Sequence, residues 1–448
     1  SGRIHRFTDG RHRHLGSLWS RDGRQIAYVG NARNGRDMDL YLWQPEAGGE
    51  GRLLAELQGD WSALDWSFDR ARLLAGESIS VHESYLYEVD AATGAVKALT
   101  PRRPGQPVAY EGGRWTPDGR AVYTTTDKDS EFRRLVRLDL ASGEHTVLSG
   151  DLAWDVESFD LSDDGALLAF VSNEEGTSRL HLLDTATDRE LPAPELPAGT
   201  AGNLEFRPGS HEVGFRVSWA RSPSDVYSYD PATRRLERWT ASEVGGLDPS
   251  RFVVPELVRF PTFDEVSAGV RRSVPAWVYR APAERFPGPR PVVINIHGGP
   301  EAQARPGFLG AANYHIGELG ITVIYPNVRG SSGYGKTYGR LDNGMLREDS
   351  VKDIGALLDW VATQPDLDAS RVMVTGGSYG GYMVLATLVH YGDRLRCASE
   401  SVGLSDFTSF LENTQDYRRD LRRVEYGDER EPEMRALLTK ISPVTNVG

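Results

Sequence analysis

Short apolar runs between polar turns fill the first part of this chain, and they recur. A tryptophan-led turn appears as Trp19-Ser20-Arg21-Asp22-Gly23, Trp66-Ser67-Phe68-Asp69-Arg70 and Trp115-Thr116-Pro117-Asp118-Gly119. Two weaker copies follow at Leu161-Ser162-Asp163-Asp164-Gly165 and Phe206-Arg207-Pro208-Gly209-Ser210. The spacings are 47, 49, 46 and 45 residues, a fixed period of the kind that marks repeat architectures. A strand pattern follows the turn, as in Gln25 to Val29, Ala121 to Thr125 and Leu167 to Val171. A second strand ends near an acidic turn, as in Leu40 to Trp43 or Asp225 to Asp230. Asp-Gly and Pro-Asp-Gly favour tight turns, and the flanking β-branched and aromatic residues favour strands. One such unit cannot bury both of its faces alone. The pattern therefore predicts blades stacked around an axis, a β-propeller with at least five blades visible.

Near Arg251 the pattern changes. Pro255, Pro261 and Pro275 punctuate what reads as a linker-like stretch. From Pro291 onward, strand patterns at Val292 to Ile296, Ile321 to Tyr325 and Arg371 to Thr375 alternate with a helical one. The helical segment runs from Ser350 to Thr363, with Ile354, Leu357, Leu358 and Val361 on one face. This alternation predicts a parallel sheet with helices on its faces. The division expected is a propeller segment over residues 1–250 and an α/β-hydrolase domain over residues 251–448.

A chain of 448 residues fits two domains better than one. Its 64 acidic and 51 basic residues give a formal net charge of -13. That balance argues against a nucleic-acid surface, which needs clustered Lys and Arg. Cys397 is the sole cysteine, which excludes an internal disulfide and a thiolate metal cluster. No apolar run approaches the roughly 20 residues that span a bilayer, so no membrane partner is expected. The N-terminal residues lack the apolar core of a signal peptide. The compartment stays open between cytoplasmic and periplasmic or secreted. Nothing in the sequence calls for a metal or an organic cofactor.

The chemistry concentrates at Gly376-Gly377-Ser378-Tyr379-Gly380. This matches the G-x-S-x-G elbow, and its context is right: a strand pattern precedes it and a helical one, from Gly381 to Ala386, follows. Such a turn holds its serine in a strained conformation at the tip of a sheet. Small residues on either side let strand and helix approach. The helix start favours developing negative charge. Ser378 is thus the expected nucleophile, and the N–H of Tyr379 is one expected oxyanion donor. A second donor is expected from the loop His297-Gly298-Gly299-Pro300, which follows an earlier strand. His297 precedes the serine, against the usual order of such a triad, and reads as a loop-shaping residue.

These segments, together with Pro326-Asn327-Val328-Arg329-Gly330-Ser331-Ser332-Gly333-Tyr334-Gly335 and Glu348-Asp349-Ser350-Val351-Lys352-Asp353, resemble the prolyl oligopeptidase family of serine peptidases. That family includes acylaminoacyl and dipeptidyl peptidases. The resemblance implies a propeller that limits access to an α/β-hydrolase active site, so that short peptides are cleaved and large folded proteins excluded. It implies Ser378 as nucleophile and Gly299 and Tyr379 as oxyanion donors. It also implies a specificity pocket on Val402 to Phe410, with Leu404, Phe407 and Phe410 as its apolar wall.

The sequence departs from the family in one respect. The family's catalytic aspartate and histidine follow the serine at a distance, whereas here only His390 follows it. His390 lies twelve residues along the same helix, about 18 Å away by helical rise. The chain therefore reads as cut at both ends, with acid and base on a C-terminal fragment of the same protein or absent. Three functions compete: an exo- or oligopeptidase, an esterase-type hydrolase on the same elbow, and a catalytically incomplete propeller acting as an interaction module. Neither the cleavage mode nor a homo-oligomer is fixed by the residues.

Overall fold

The computed structural model describes residue 4 and residues 6–447, the side chains of Asp416 and Tyr417 apart. Its first part contains five four-stranded antiparallel sheets, each a simple meander. The first comprises His14–Trp19, Ile26–Gly30, Asp39–Trp43 and Arg52–Ala55. The last comprises Gly199–Phe206, Val213–Trp219, Ser222–Asp230 and Arg235–Arg238. Each repeated turn joins the first two strands of its sheet, as the sequence pattern expects. Successive sheets share apolar cores. Val29, Leu40 and Leu42 pack with Trp61, Trp66 and Leu73 between the first two sheets. Val171 and Leu180 pack with Phe206 and Phe215 between the last two. Buried carboxylates also tie neighbours together: Trp115 N–H donates to Asp65 at 2.9 Å and Phe206 N–H to Asp160 at 3.0 Å.

The second part is a six-stranded mixed sheet. Its spatial order is Glu256–Ser267, Val270–Tyr279, Thr322–Pro326, Arg290–Ile296, Leu367–Gly377 and Cys397–Ser401. The last four strands run parallel to one another, and the first two are antiparallel additions. The linker-like reading of the 255–275 stretch is therefore corrected, because its prolines lie within a long hairpin. Pro261 sits in the edge strand, where a missing N–H is tolerated, next to a register shift. Pro275 stands one residue before the ladder to Thr322–Pro326 begins at Ala276. The helix Asp349–Thr363 buries Val351, Ile354, Leu357, Leu358 and Val361 against the sheet, the face that the spacing predicts. Among the described residues, no helix is long and apolar enough to cross a membrane.

The pairing places Ile296 opposite Gly376. Two neighbouring parallel strands thus end at the same level, and the loops leaving them emerge side by side. In open α/β sheets this edge is where sites form.

Candidate active site

The strand Leu367–Gly377 ends at a sharp corner, and the helix Tyr379–Tyr391 begins one residue later. Ser378 occupies the corner with φ 56° and ψ −123°. An L residue with a side chain rarely adopts that backbone, which costs of order 1–3 kcal/mol. The corner closes because its neighbours have no side chains. A Cβ on Gly376 would stand 2.5 Å from the Gly380 carbonyl oxygen, and one on Gly380 would stand 2.2 Å from the Ile296 carbonyl oxygen. The backbone is held from the sheet side by Ser378 N–H donating to the Ser401 carbonyl at 3.0 Å. The side chain is exposed. Among the described residues its hydroxyl has no hydrogen-bond partner.

The loop after Arg290–Ile296 lies against this corner. A Cβ on Gly298 would be 3.4 Å from Ser378 Cβ and 3.9 Å from its Oγ. Gly299 has φ +124°, and a Cβ there would fall 2.6 Å from the Glu301 amide nitrogen. This residue must therefore be glycine for the loop to keep its path. The Gly299 carbonyl accepts from the Tyr426 hydroxyl at 3.2 Å.

His297 is committed locally. Its Nδ1 donates to the Gly298 carbonyl at 2.7 Å, and its Nε2 lies 2.9 Å from Ser331 Oγ. Burial holds its pKa below the usual histidine range. His390 pairs with Glu348 at 2.9 Å. His315 lies exposed in the short helix Ala312–Gly317.

Tyr379 carries its side chain away from the serine into a buried polar cluster. Its hydroxyl is 2.9 Å from Ser350 Oγ and 3.3 Å from Asp342 Oδ2. Burial raises its pKa. Arg347 is fully buried beside it and donates to Asp342 at 2.7 Å. Burial outweighs that guanidinium and pushes Asp342 up to about 6. Burial and the neighbouring Glu425 carboxylate push Glu301 well above the usual carboxylate range. Sequence reasoning missed this cluster. Arg347 and Asp342 sit in the irregular stretch around Asn343-Gly344, Glu301 in the loop after Gly299 and Glu425 on a strongly polar helix, where periodicity does not separate a buried charge from a solvated one.

The three expected pocket residues differ in burial. Phe407 is fully enclosed, with its ring 4.6 Å from Tyr382 and 5.4 Å from Tyr426. Leu404 is 8% exposed. Phe410 is only partly buried, edge-on to Tyr426 at 5.8 Å. Of the three, Phe410 is the most accessible.

The sheets of the first part reach this edge. Arg305, six residues after Gly299, donates to both Glu157 carboxylate oxygens at 2.8 and 2.7 Å and to Ser178 Oγ at 2.9 Å. Asn173 donates to Gln303 at 2.6 Å. A cavity of about 220 Å³ lies between the two parts, lined by Glu111, Asp127 and Asp155 on one side and Glu301, Gly333 and Lys336 on the other.

Comparison with known proteins agrees with this arrangement. Over 349 residues the chain is 26% identical to dipeptidyl aminopeptidase BIII of Pseudoxanthomonas mexicana, covering 74% of this chain and 49% of that protein. It is 31% identical over 160 residues to dipeptidyl peptidase family member 6 of Caenorhabditis elegans, covering 35% of this chain and 22% of that protein. The chain thus spans about half the length of the first relative and less of the second. A puromycin hydrolase crystal structure superposes with a TM-score of 0.84 at 19% identity, over 97% of this chain and 68% of that one. A puromycin-hydrolyzing peptidase from Mycobacterium tuberculosis gives 0.82 at 20%, with the same coverage. At these identities the structural likeness speaks for the fold. Residues 310–448 match the family described as the prolyl oligopeptidase family.

Proposed function

We propose that this chain carries the nucleophile of a serine peptidase that hydrolyses short peptides through an acyl-enzyme on Ser378. The observation that carries the reading is the state of that serine. Its backbone is strained, its side chain is exposed and its hydroxyl has no partner among the described residues, at the end of a strand and the start of a helix. The hydroxyl attacks the scissile carbonyl, and the N–H groups of Gly299 and Tyr379 receive the oxyanion. Collapse of the tetrahedral species releases the amine and leaves an ester on Ser378, which water then hydrolyses. The attack needs a base. His297 and His390 are committed to other partners. The reading takes the base from neither of these two.

In this reading the five small sheets are propeller blades over residues 1–250, and residues 251–448 are α/β-hydrolase. The propeller would limit substrate size in the same reading, and its fourth sheet is anchored by Glu157 to the loop that carries Gly299. Phe410, backed by Phe407 and Leu404, supplies an apolar wall for the residue before the scissile bond.

The test is labelling by a fluorophosphonate in the intact enzyme, where Ser378→Ala should abolish the signal. Turnover of a peptidyl nitroanilide, set against a short-chain ester, separates a peptidase from an esterase. Labelling that survives the substitution would overturn the nucleophile. Turnover of the ester alone would overturn the peptidase.

A further inference from the structure

We infer that Arg347 is a positioning residue for both oxyanion donors at once, with the Tyr426 hydroxyl as the arm by which it reaches Gly299. This rests on the reading of Gly299 and Tyr379 as those donors.

Arg347 has no exposed surface. Its guanidinium bonds Asp342 at 2.7 Å, the Tyr379 hydroxyl at 3.4 Å and the Glu425 carbonyl at 2.5 Å. It also lies over two rings, 5.3 Å from the centroid of Tyr379 and 4.9 Å from that of Tyr426. The two rings are themselves 6.1 Å apart. One planar cation therefore touches the side chain of Tyr379, whose own N–H follows the nucleophile. It also touches the side chain and the preceding carbonyl of Tyr426, whose hydroxyl donates to the Gly299 carbonyl at 3.2 Å.

The two donors come from different loops, so their separation is not fixed by either strand. Gly299 has a backbone that tolerates no side chain and, lacking one, has no anchor of its own. The Tyr426 hydroxyl supplies that anchor. A buried ion pair adds little stability over apolar residues of the same volume. Its planar fork does fix directions that an apolar group cannot fix. Oxyanion stabilisation depends on donors already in place when charge develops, so small displacements are costly.

The informative variant is Tyr426→Phe, which deletes the bond to Gly299 and keeps the ring under the guanidinium. In the intact enzyme kcat should fall about 10-fold, less than the 10²–10³ of a donor lost outright. KM and the melting temperature should stay nearly constant. Affinity for a peptide boronic acid, which mimics the tetrahedral anion, should fall by a similar factor. Arg347→Met should cost about 100-fold in kcat, because both donors lose support. The double variant Arg347→Met/Asp342→Asn avoids leaving a buried unpaired carboxylate and should show the same loss. Should neither Arg347 variant fold, Tyr426→Phe alone decides. Unchanged kcat and boronate affinity in Tyr426→Phe would overturn the inference, as would a higher KM at constant kcat. Gly299→Val run in parallel separates the two layers. If it loses turnover while Tyr426→Phe does not, only the positioning role fails. If it too keeps full kcat, the oxyanion assignment itself fails.

Discussion

The turns of the repeated sheets and the corner of the mixed sheet use a hydroxyl residue in opposite ways. In the repeats, Ser20, Ser67, Thr116 and Ser162 each donate to an aspartate two residues on, at 2.7, 2.6, 2.7 and 2.7 Å. Each also accepts a backbone N–H from five residues on, at 2.9 to 3.0 Å. All four are buried. The left-handed backbone that these turns need is delegated to another residue, such as Gly23, Gly119 or Gly165. At the corner of the mixed sheet the serine itself takes φ 56°, is exposed and, among the described residues, bonds nothing through its side chain. A hydroxyl with its donor and acceptor capacity used is structure. A hydroxyl left free, on a backbone that costs energy to hold, is available for chemistry.

Substitution at the two kinds of site should separate these roles. The largest effect is expected at Ser378. Ser378→Ala should lower kcat by about 10⁶ with little change in melting temperature, since no bond is lost. Ser378→Gly should be equally inactive yet more stable than Ser378→Ala by about 1 kcal/mol, because glycine adopts positive φ without a Cβ clash. Equal melting temperatures for the two variants would mean that the corner stores no strain. Next in size is Gly299→Val. Its branched side chain would collide with the backbone of Glu301 and Ala302. A kcat loss of about 10²–10³, with a much smaller change in KM, is expected from steady-state kinetics. A change confined to KM would remove Gly299 from the oxyanion hole.

Much of this arrangement is legible in the sequence, for identifiable reasons. The repeated turns are local: Ser67, Asp69 and Arg72 satisfy one another within six residues, so a short motif reports the whole structure. The elbow is legible for the same reason, since Gly376 and Gly380 are required within five residues by one close approach. The hairpin from Glu256 to Tyr279 was not legible. Its prolines signal a break, and the edge position that tolerates Pro261 is a property of the whole sheet. The Arg347 cluster was illegible too. Its members are Asp342, Ser350, Tyr379 and Tyr426, which come from four segments and meet only in three dimensions. The helix of the elbow begins at Tyr379 rather than at Gly381, because Ser378 holds the N-cap position and its carbonyl accepts the Gly381 and Tyr382 N–H groups at 2.9 and 3.2 Å.

A smaller effect should distinguish two aromatic residues three positions apart. Phe410 is partly open and Phe407 is enclosed. Phe410→Ala should reduce the preference for apolar over small residues before the scissile bond by about 1–3 kcal/mol, measured as a ratio of kcat/KM values. Phe407→Ala should instead lower stability by about 3–5 kcal/mol. A selectivity change from Phe407→Ala at constant stability would exchange the two roles.

The smallest effect tests the other half of the comparison. Ser67 is 1% exposed. Its hydroxyl donates to Asp69 and accepts from the Arg72 N–H at 3.0 Å, closing the turn between the first two strands of the second sheet. Ser67→Ala removes both bonds in a space that water does not reach. The Arg72 N–H then loses its acceptor, and the cost should be about 1–2 kcal/mol of unfolding free energy. Because Ser67, Asp69 and Arg72 bond one another within this turn, kcat should not move. Denaturant unfolding gives the first quantity and fluorophosphonate labelling rates give the second. A labelling rate that falls in step with stability would mean that the repeat turns bear on the serine after all. The contrast between satisfied and free hydroxyls would then no longer divide structure from chemistry in this molecule.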